Sequence, residues 1–352
     1  MKMKKQLKVL ILTDGGVTEN DTFAQGIAES MAAEVHIENH QTNKLHGSKW
    51  KNIRRYFNYF IFPLRFIHRR KEYDYILGWQ QFYANNLAFY CEMLGLRPRA
   101  RIVSVNYTYK EKYGIMGKLY KWYMRTHTNS DHLLCIHLPS NMAAEVLHHS
   151  LGTSLSKMIV ANFGVDDIYH RVKSQEFTFI NEGGYVLSLG RSNRDFDFLV
   201  EVWKEPELQN ETLVILSDTW QPILPLPVNI IHRTDVVGEE AQFYLVHCKV
   251  NVIPIDIPTV CSGDTVLLHG MQYECPTVVT APSTLAEMYI DHGINGLCLT
   301  KDVKKFAFEL AALLHDESRM KSLGQAARQK FLSRYSRYAM GVVIGNKLKE
   351  FQ

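Results

Sequence analysis

Short apolar runs recur along the chain, each followed by a turn and then by a stretch in which apolar residues return every three or four positions. The runs at 8–13, 33–37, 73–78, 101–105, 132–136 and 158–161 read as buried strands, and helical spacing falls between them at 21–31, 85–94 and 139–147. The pattern then restarts. Runs at 185–189, 212–216, 228–231, 250–254 and 277–280, with a short strand after Gly296, alternate with helical patterns at 198–203, 241–246, 283–290, 304–314 and 320–335. Strands alternating with helices predict parallel sheets covered on both faces, so the fold class is α/β, with two doubly wound, Rossmann-like domains.

With 352 residues, of which 46% are apolar, the chain exceeds what one hydrophobic core usually holds. The expected division is 1–168, 169–330 and a terminal helix over 331–352 that crosses back, with a polar, glycine-ended linker at 170–184. The net charge of +4 is small for this length, so only local clustering points to a partner. The six cysteines are scattered without a CxxC or a His/Cys spacing, which predicts reduced thiols, a cytoplasmic setting and no metal site. The basic start carries an apolar run only at 9–12, too short for a signal-peptide core or a membrane span.

One segment departs from this balance. Residues 44–71 hold nine cations, Arg54, Arg55, Arg69 and Arg70 among them, interleaved with aromatic and aliphatic residues and without an acid. Such a segment suits an anionic membrane surface; it equally suits a helix with a buried aromatic face and a solvated basic one. Nucleic acid ranks below both, because nothing else in the chain looks like a nucleic-acid module. A second aromatic and basic stretch, 107–122, either extends the membrane-facing surface or lines an acceptor groove.

The chemistry concentrates in 261–299. A Ser262-Gly263-Asp264-Thr265 turn opens a helix carrying Val266, Leu267, Leu268 and Met271, and Pro276 leads into the β-branched run 277–280. A helix entrance made of small residues leaves backbone N–H groups and a partial positive charge for an anion. Gly190-Arg191 ends the first strand of the second half; Arg191 is a candidate phosphate clamp, and Arg194 is either a second cation or a solvated partner of Asp195. In the first half, Gly15 and Gly16 either admit a ligand or only permit a tight turn, and they are not a GxGxxG fingerprint. Asp14, Glu19 and Asp21, in the loop after the first strand, are candidate general bases, with His127 as runner-up, although acids at helix entrances also serve as caps.

The two Rossmann-like halves, the Asn162-Phe163-Gly164-Val165-Asp166 hinge, the Gly190-Arg191 turn and the 261–299 unit together resemble a GT-B fold glycosyltransferase, similar to the family-4-type group of bacterial sugar transferases. The resemblance spans nearly the whole chain and is specific only in its second half. It implies two domains facing across a cleft, an acceptor-binding N-terminal domain and a nucleotide-sugar-binding C-terminal one, with terminal helices packing back toward the first. It also implies that Gly190, Arg191, Ser262 and Gly263 embrace the diphosphate of a UDP- or GDP-linked sugar, and that Thr284 and Glu287 lie near that sugar. The paired glutamates of the family are replaced here by Cys261 and His269; the histidine's neutral ring is able to hydrogen-bond a hydroxyl or phosphate. The implied reaction is metal-independent transfer of a sugar to a saccharide hydroxyl, lipid-linked, in cell-surface polysaccharide or glycolipid assembly, by a peripheral protein on the inner face of the membrane. An epimerase of the two-Rossmann type and an inactive partner subunit are the alternatives.

Overall fold

The computed structural model describes residues 6–15, 21–40, 49–175, 179, 183–236, 238–260 and 262–351. Gly16, Glu19, Lys44 and Cys261 therefore lie outside the described residues. The chain divides into two compact units, one of residues 1–166 with 336–352 and one of residues 167–335.

The first unit holds β1 (Leu7–Thr13), α1 (Thr22–Met31), β2 (Ala33–Asn39), α2 (Lys49–Ile61), α3 (Phe66–Arg69), β3 (Tyr75–Gly78), α4 (Gln81–Met93), β4 (Arg101–Ser104), α5 (Gly114–Asn129), β5 (Leu133–Leu138), α6 (Asn141–Leu151) and β6 (Met158–Val160). Its strands form one parallel sheet in the order β2-β1-β3-β4-β5-β6. Alternate residues of β1 feed opposite cores, as the pleat requires. Leu10 and Leu12 pack with Tyr83 and Leu87 of α4. Val9 and Ile11 pack with Phe23 and Ile27 of α1.

The second unit holds α7 (Tyr169–Lys173), β7 (Val186–Leu189), α8 (Phe196–Val202), β8 (Leu213–Leu216), β9 (Ile230–Arg233), α9 (Glu239–His247), β10 (Val250–Ile253), α10 (Asp264–Gln272), β11 (Thr277–Ala281), α11 (Thr284–Tyr289), β12 (Leu297–Thr300), α12 (Val303–Leu314) and α13 (Glu317–Arg334). Its sheet is also parallel, in the order β12-β11-β10-β7-β8-β9. The order reverses between β7 and β10, and in open α/β sheets ligands bind at the carboxyl ends of the strands beside such a reversal. The segment expected to begin a linker is instead α7, whose Tyr169 and Val172 are buried in the core of this unit.

The last helix, α14 (Arg337–Glu350), belongs to the first unit and lies along α1. Met340, Ile344 and Leu348 complete the core on that face of the sheet. Glycines let the two helices touch: a Cβ on Gly26 would stand 2.4 Å from Tyr338 O, and one on Gly341 would stand 2.4 Å from Phe23 O. The aromatic and basic stretch 107–122 is divided between a loop and α5. Residues 107–109 run alongside the sheet, where Tyr107 N donates to His137 O (3.0 Å), and the helix starts at Gly114, whose φ is +74°.

Candidate functional site

At the carboxyl edge of the second sheet, the loops after β7 and β8 and the first turns of α9 and α10 enclose a cavity of about 610 Å3. That volume suits a nucleotide-sized ligand. Both helices enter it without a side-chain cap, at Gly238 and Gly263, whereas α12 and α13 are capped by Asp302 and Asp316. The two uncapped helix starts therefore face one cavity, where the positive ends of two helix dipoles add.

Arg194 fixes this geometry. Its guanidinium donates to Leu189 O (3.2 Å), Ser192 O (3.1 Å) and Asn193 O (3.4 Å), the carbonyls that close the β7 turn. It is threaded between two glycines. A Cβ on Gly190 (φ +148°) would come within 2.7 Å of Arg194 Nε, and one on Gly263 (φ +101°) within 2.7 Å of its Nη2. Only glycine fits at either place. Burial lowers the Arg194 pKa to about 10, and nearby Asp264 pulls the other way. Asp195 is not its solvated partner: that carboxylate caps α8 at Phe198 N (2.9 Å) and pairs with Lys301.

Arg191 is exposed at the rim, where its Nε donates to Asp218 Oδ1 (2.7 Å) and its Nη2 pairs with Asp218 Oδ2. The guanidinium holds the Asp218 carboxyl below its usual range. Thr219 Oγ1 donates to Arg191 O (2.7 Å), and Ser262 Oγ donates to Ser192 O (3.2 Å), so the loops after β8 and β10 both brace the β7 turn. Gln242 of α9 completes one wall. Tyr273 donates its hydroxyl to Gln242 Oε1 (3.0 Å), which leaves the amide nitrogen to serve the cavity. Asp218, Gly238 and Gln242 were missed in the sequence. Asp218 had a usable signal, since it lies just past the carboxyl end of a strand.

Residues 183–316 match the family model for glycosyl transferases group 1. This stretch is similar to that family's domain. No curated protein matches the chain. Over the whole chain the fold is that of the GT-B glycosyltransferases. Anabaena HepE, solved in complex with UDP-glucose, superposes with a TM-score of 0.56 at 12% identity, over 98% of this chain and 100% of that one. Sucrose-phosphate synthase from Thermosynechococcus elongatus gives 0.60 at 12% identity, over 98% and 99%. WaaG, a glycosyltransferase involved in lipopolysaccharide biosynthesis, gives 0.53 at 13% identity, over 96% and 98%.

Within the matched stretch, the structure brings Gly190, Arg191, Arg194, Ser262, Gly263, Asp264 and Thr265 to the cavity. It does not bring Thr284, Glu287 or His269 to its wall. Thr284 ties α11 to Pro258 O through its N (2.9 Å) and Oγ1 (3.1 Å), and Glu287 is exposed on α11. His269 stacks on Tyr273 and contacts Gln272 Nε2 through Nδ1 (3.3 Å); burial lowers its pKa to about 4, so the ring is neutral.

In the first unit, the candidate bases separate. Asp14 is half-buried at the end of β1 and accepts from Tyr59 Oη (3.2 Å) and Gln80 Nε2 (3.0 Å). Asp21 takes the capping role that helix entrances favour for acids: Oδ1 accepts from Phe23 N of α1 (2.8 Å), and Oδ2 pairs with Arg337 (3.0 Å). His127 is also structural. Its Nδ1 donates to Tyr123 O (2.9 Å), its Nε2 meets Tyr107 Oη (3.3 Å), and burial lowers its pKa to about 3.

Arg54 is exposed, and Arg55 is half-buried over the ring of Tyr56. Arg69 pairs with Glu38 of β2 (2.9 Å) and Glu72 (3.5 Å), and Arg70 is buried with its guanidinium on Ile67 O. Among the described residues, no helix is long and apolar enough to cross a membrane.

Proposed function

We propose that the chain transfers a sugar from a UDP-linked donor to a hydroxyl of a lipid-linked saccharide, in cell-surface polysaccharide or glycolipid assembly on the inner face of the membrane. The observation that carries this reading is the convergence of two uncapped helix starts, Arg191 and Arg194 on one cavity. That arrangement matches the charge of a nucleoside diphosphate, which is the leaving group of such a transfer. HepE, which shares the fold, is solved with UDP-glucose, and this supports uridine as the base.

In the reaction, the acceptor oxygen forms a bond to the anomeric carbon while the bond from that carbon to the diphosphate oxygen breaks. The electron pair leaves on the diphosphate, where the α10 amides and the two guanidiniums stabilise it without a metal. The proton released by the acceptor needs a base. Asp14 is the acceptor-side candidate, because Tyr59 and Gln80 orient its carboxylate at the carboxyl edge of the first sheet. Glu19 remains a second candidate from the sequence.

A donor-binding subunit without turnover is the second reading. The observation favouring it is that His269, at the position of the family's second glutamate, packs on Tyr273 instead of lining the cavity. Isothermal calorimetry with UDP and GDP, followed by UDP release from UDP-sugars with and without a saccharide acceptor, separates the readings. Binding of UDP that is lost in Arg191→Ala, together with acceptor-dependent UDP release, supports the transferase. Tight binding without release supports the subunit, and no binding removes both.

A further inference from the structure

The cavity of the second unit has walls of two kinds. Arg191 and Arg194, with the uncapped start of α10, supply positive charge. Val236, Ala241 and Val266 supply apolar surface, and all three pack in one cluster with Tyr273. A diphosphate held by the charged wall leaves the apolar wall for the planar base at the other end of a nucleotide.

One polar side chain interrupts that apolar wall. Gln242 is half-buried on α9, and its Oε1 accepts from the Tyr273 hydroxyl (3.0 Å). A carboxamide oxygen only accepts, so this contact engages the oxygen and turns the NH2 group, with its two protons, away from Tyr273. Tyr273 is itself locked. It is 3% exposed, and its backbone N donates to His269 O (3.0 Å) at the end of α10. Its ring stacks on His269 (6.0 Å, 14°) and lies against Tyr169 at 6.1 Å. A fixed phenol thus orients an amide that would otherwise turn freely, and His269 acts on the cavity through this stack without lining it.

An NH2 group aimed at a base reads its hydrogen-bonding edge. Uracil and cytosine share one ring and differ there in what position 4 carries, a carbonyl in uracil and an amino group in cytosine. The Gln242 amide donates to the carbonyl. Against the amino group it would set donor against donor in a partly dry wall and leave both unsatisfied.

We infer that Gln242 selects a base bearing a carbonyl over one bearing an amino group, and that Tyr273, held by His269, is the positioning residue behind this preference. The inference rests on the donor-site reading above and adds the chemical feature of the base that the site recognises.

The test is calorimetry of the full chain with UDP and with CDP, read as the ratio of the two affinities, so that effects common to both nucleotides cancel. UDP is expected to bind about thirtyfold more tightly than CDP. Gln242→Ala should erase the preference. Gln242→Glu offers the base an acceptor in place of the donors and should reverse the ratio to about fivefold in favour of CDP. Tyr273→Phe keeps the ring and its stacking but releases the amide, so the preference for UDP should shrink to about threefold. Equal affinities in the parent, a parent that prefers CDP, or a Gln242→Glu chain that still prefers UDP would overturn the inference and leave the donor site standing. A Tyr273→Phe ratio equal to the parent's would overturn the positioning role. Binding of neither nucleotide would bring down the donor-site reading and this inference with it.

Discussion

Helices α1 and α10 begin alike and end up doing opposite things. Each follows a central strand, β1 or β10, at the carboxyl edge of its sheet beside the reversal of strand order. In α1 the cap is Asp21, whose carboxylate satisfies the first turn and pairs with Arg337. In α10 the cap is Gly263, with no side-chain acceptor and with the Arg194 guanidinium alongside. The difference teaches where an anion is able to bind. A carboxylate cap consumes the attraction of the helix terminus internally, and a glycine cap leaves it for a ligand.

Four experiments break or sharpen that contrast. The largest effect is expected from Asp21→Ala, which removes both a cap and a buried ion pair; unfolding stability in denaturant should fall by about 3 kcal/mol, while UDP affinity measured by calorimetry stays unchanged. A loss of UDP binding there would mean that α1 also serves the ligand. Gly263→Asp converts α10 into the α1 type. It places a carboxylate where the phosphate belongs, on a backbone that disfavours any side chain, so UDP affinity should drop by about a hundredfold, or about 2.7 kcal/mol. Unaltered affinity would remove the helix start from the site.

Asp218→Asn should act in the other direction. The carboxylate holds Arg191 and repels a diphosphate, so its neutral amide should tighten UDP by about threefold, within the range of an exposed pair. Weaker binding would instead assign Asp218 a direct contact with the nucleotide. The fourth experiment concerns pH. Burial lowers the pKa of His127 to about 3 and those of His137 and His269 to about 4, all below the ordinary 6.5. These rings fold neutral. Below pH ~6.5 the unfolded chain gains protons that the folded chain refuses, so melting temperature should decline from there toward pH ~4. His269→Gln should flatten part of that decline, and an unchanged slope would contradict the burial of this ring.

The fold was legible because both sheets are parallel and buried on two faces, so each strand reads as an apolar run between glycine or polar turns. The start of α5 was not, because Tyr107 to Tyr113 share the aromatic and basic composition of the helix and the boundary depends on Gly114 adopting a positive φ. The cavity was half legible. Arg191, Ser262 and Gly263 belong to local motifs, whereas Gln242 is held in place by Tyr273, a partner from another helix. The ion pair of Arg69 was hidden from charge counting for a similar reason: its partner Glu38 lies on β2, before the basic segment begins.

The glycine contact between α1 and α14 bears on the order in which the molecule is made. The ribosome releases α1 early, yet the helix that covers it emerges only after all of residues 167–335 have been synthesised. Until then Phe23, Ile27 and their neighbours lack one wall of their core. During synthesis the second unit has its whole sequence in hand before the first does, so the earlier-born half is the later one to finish folding.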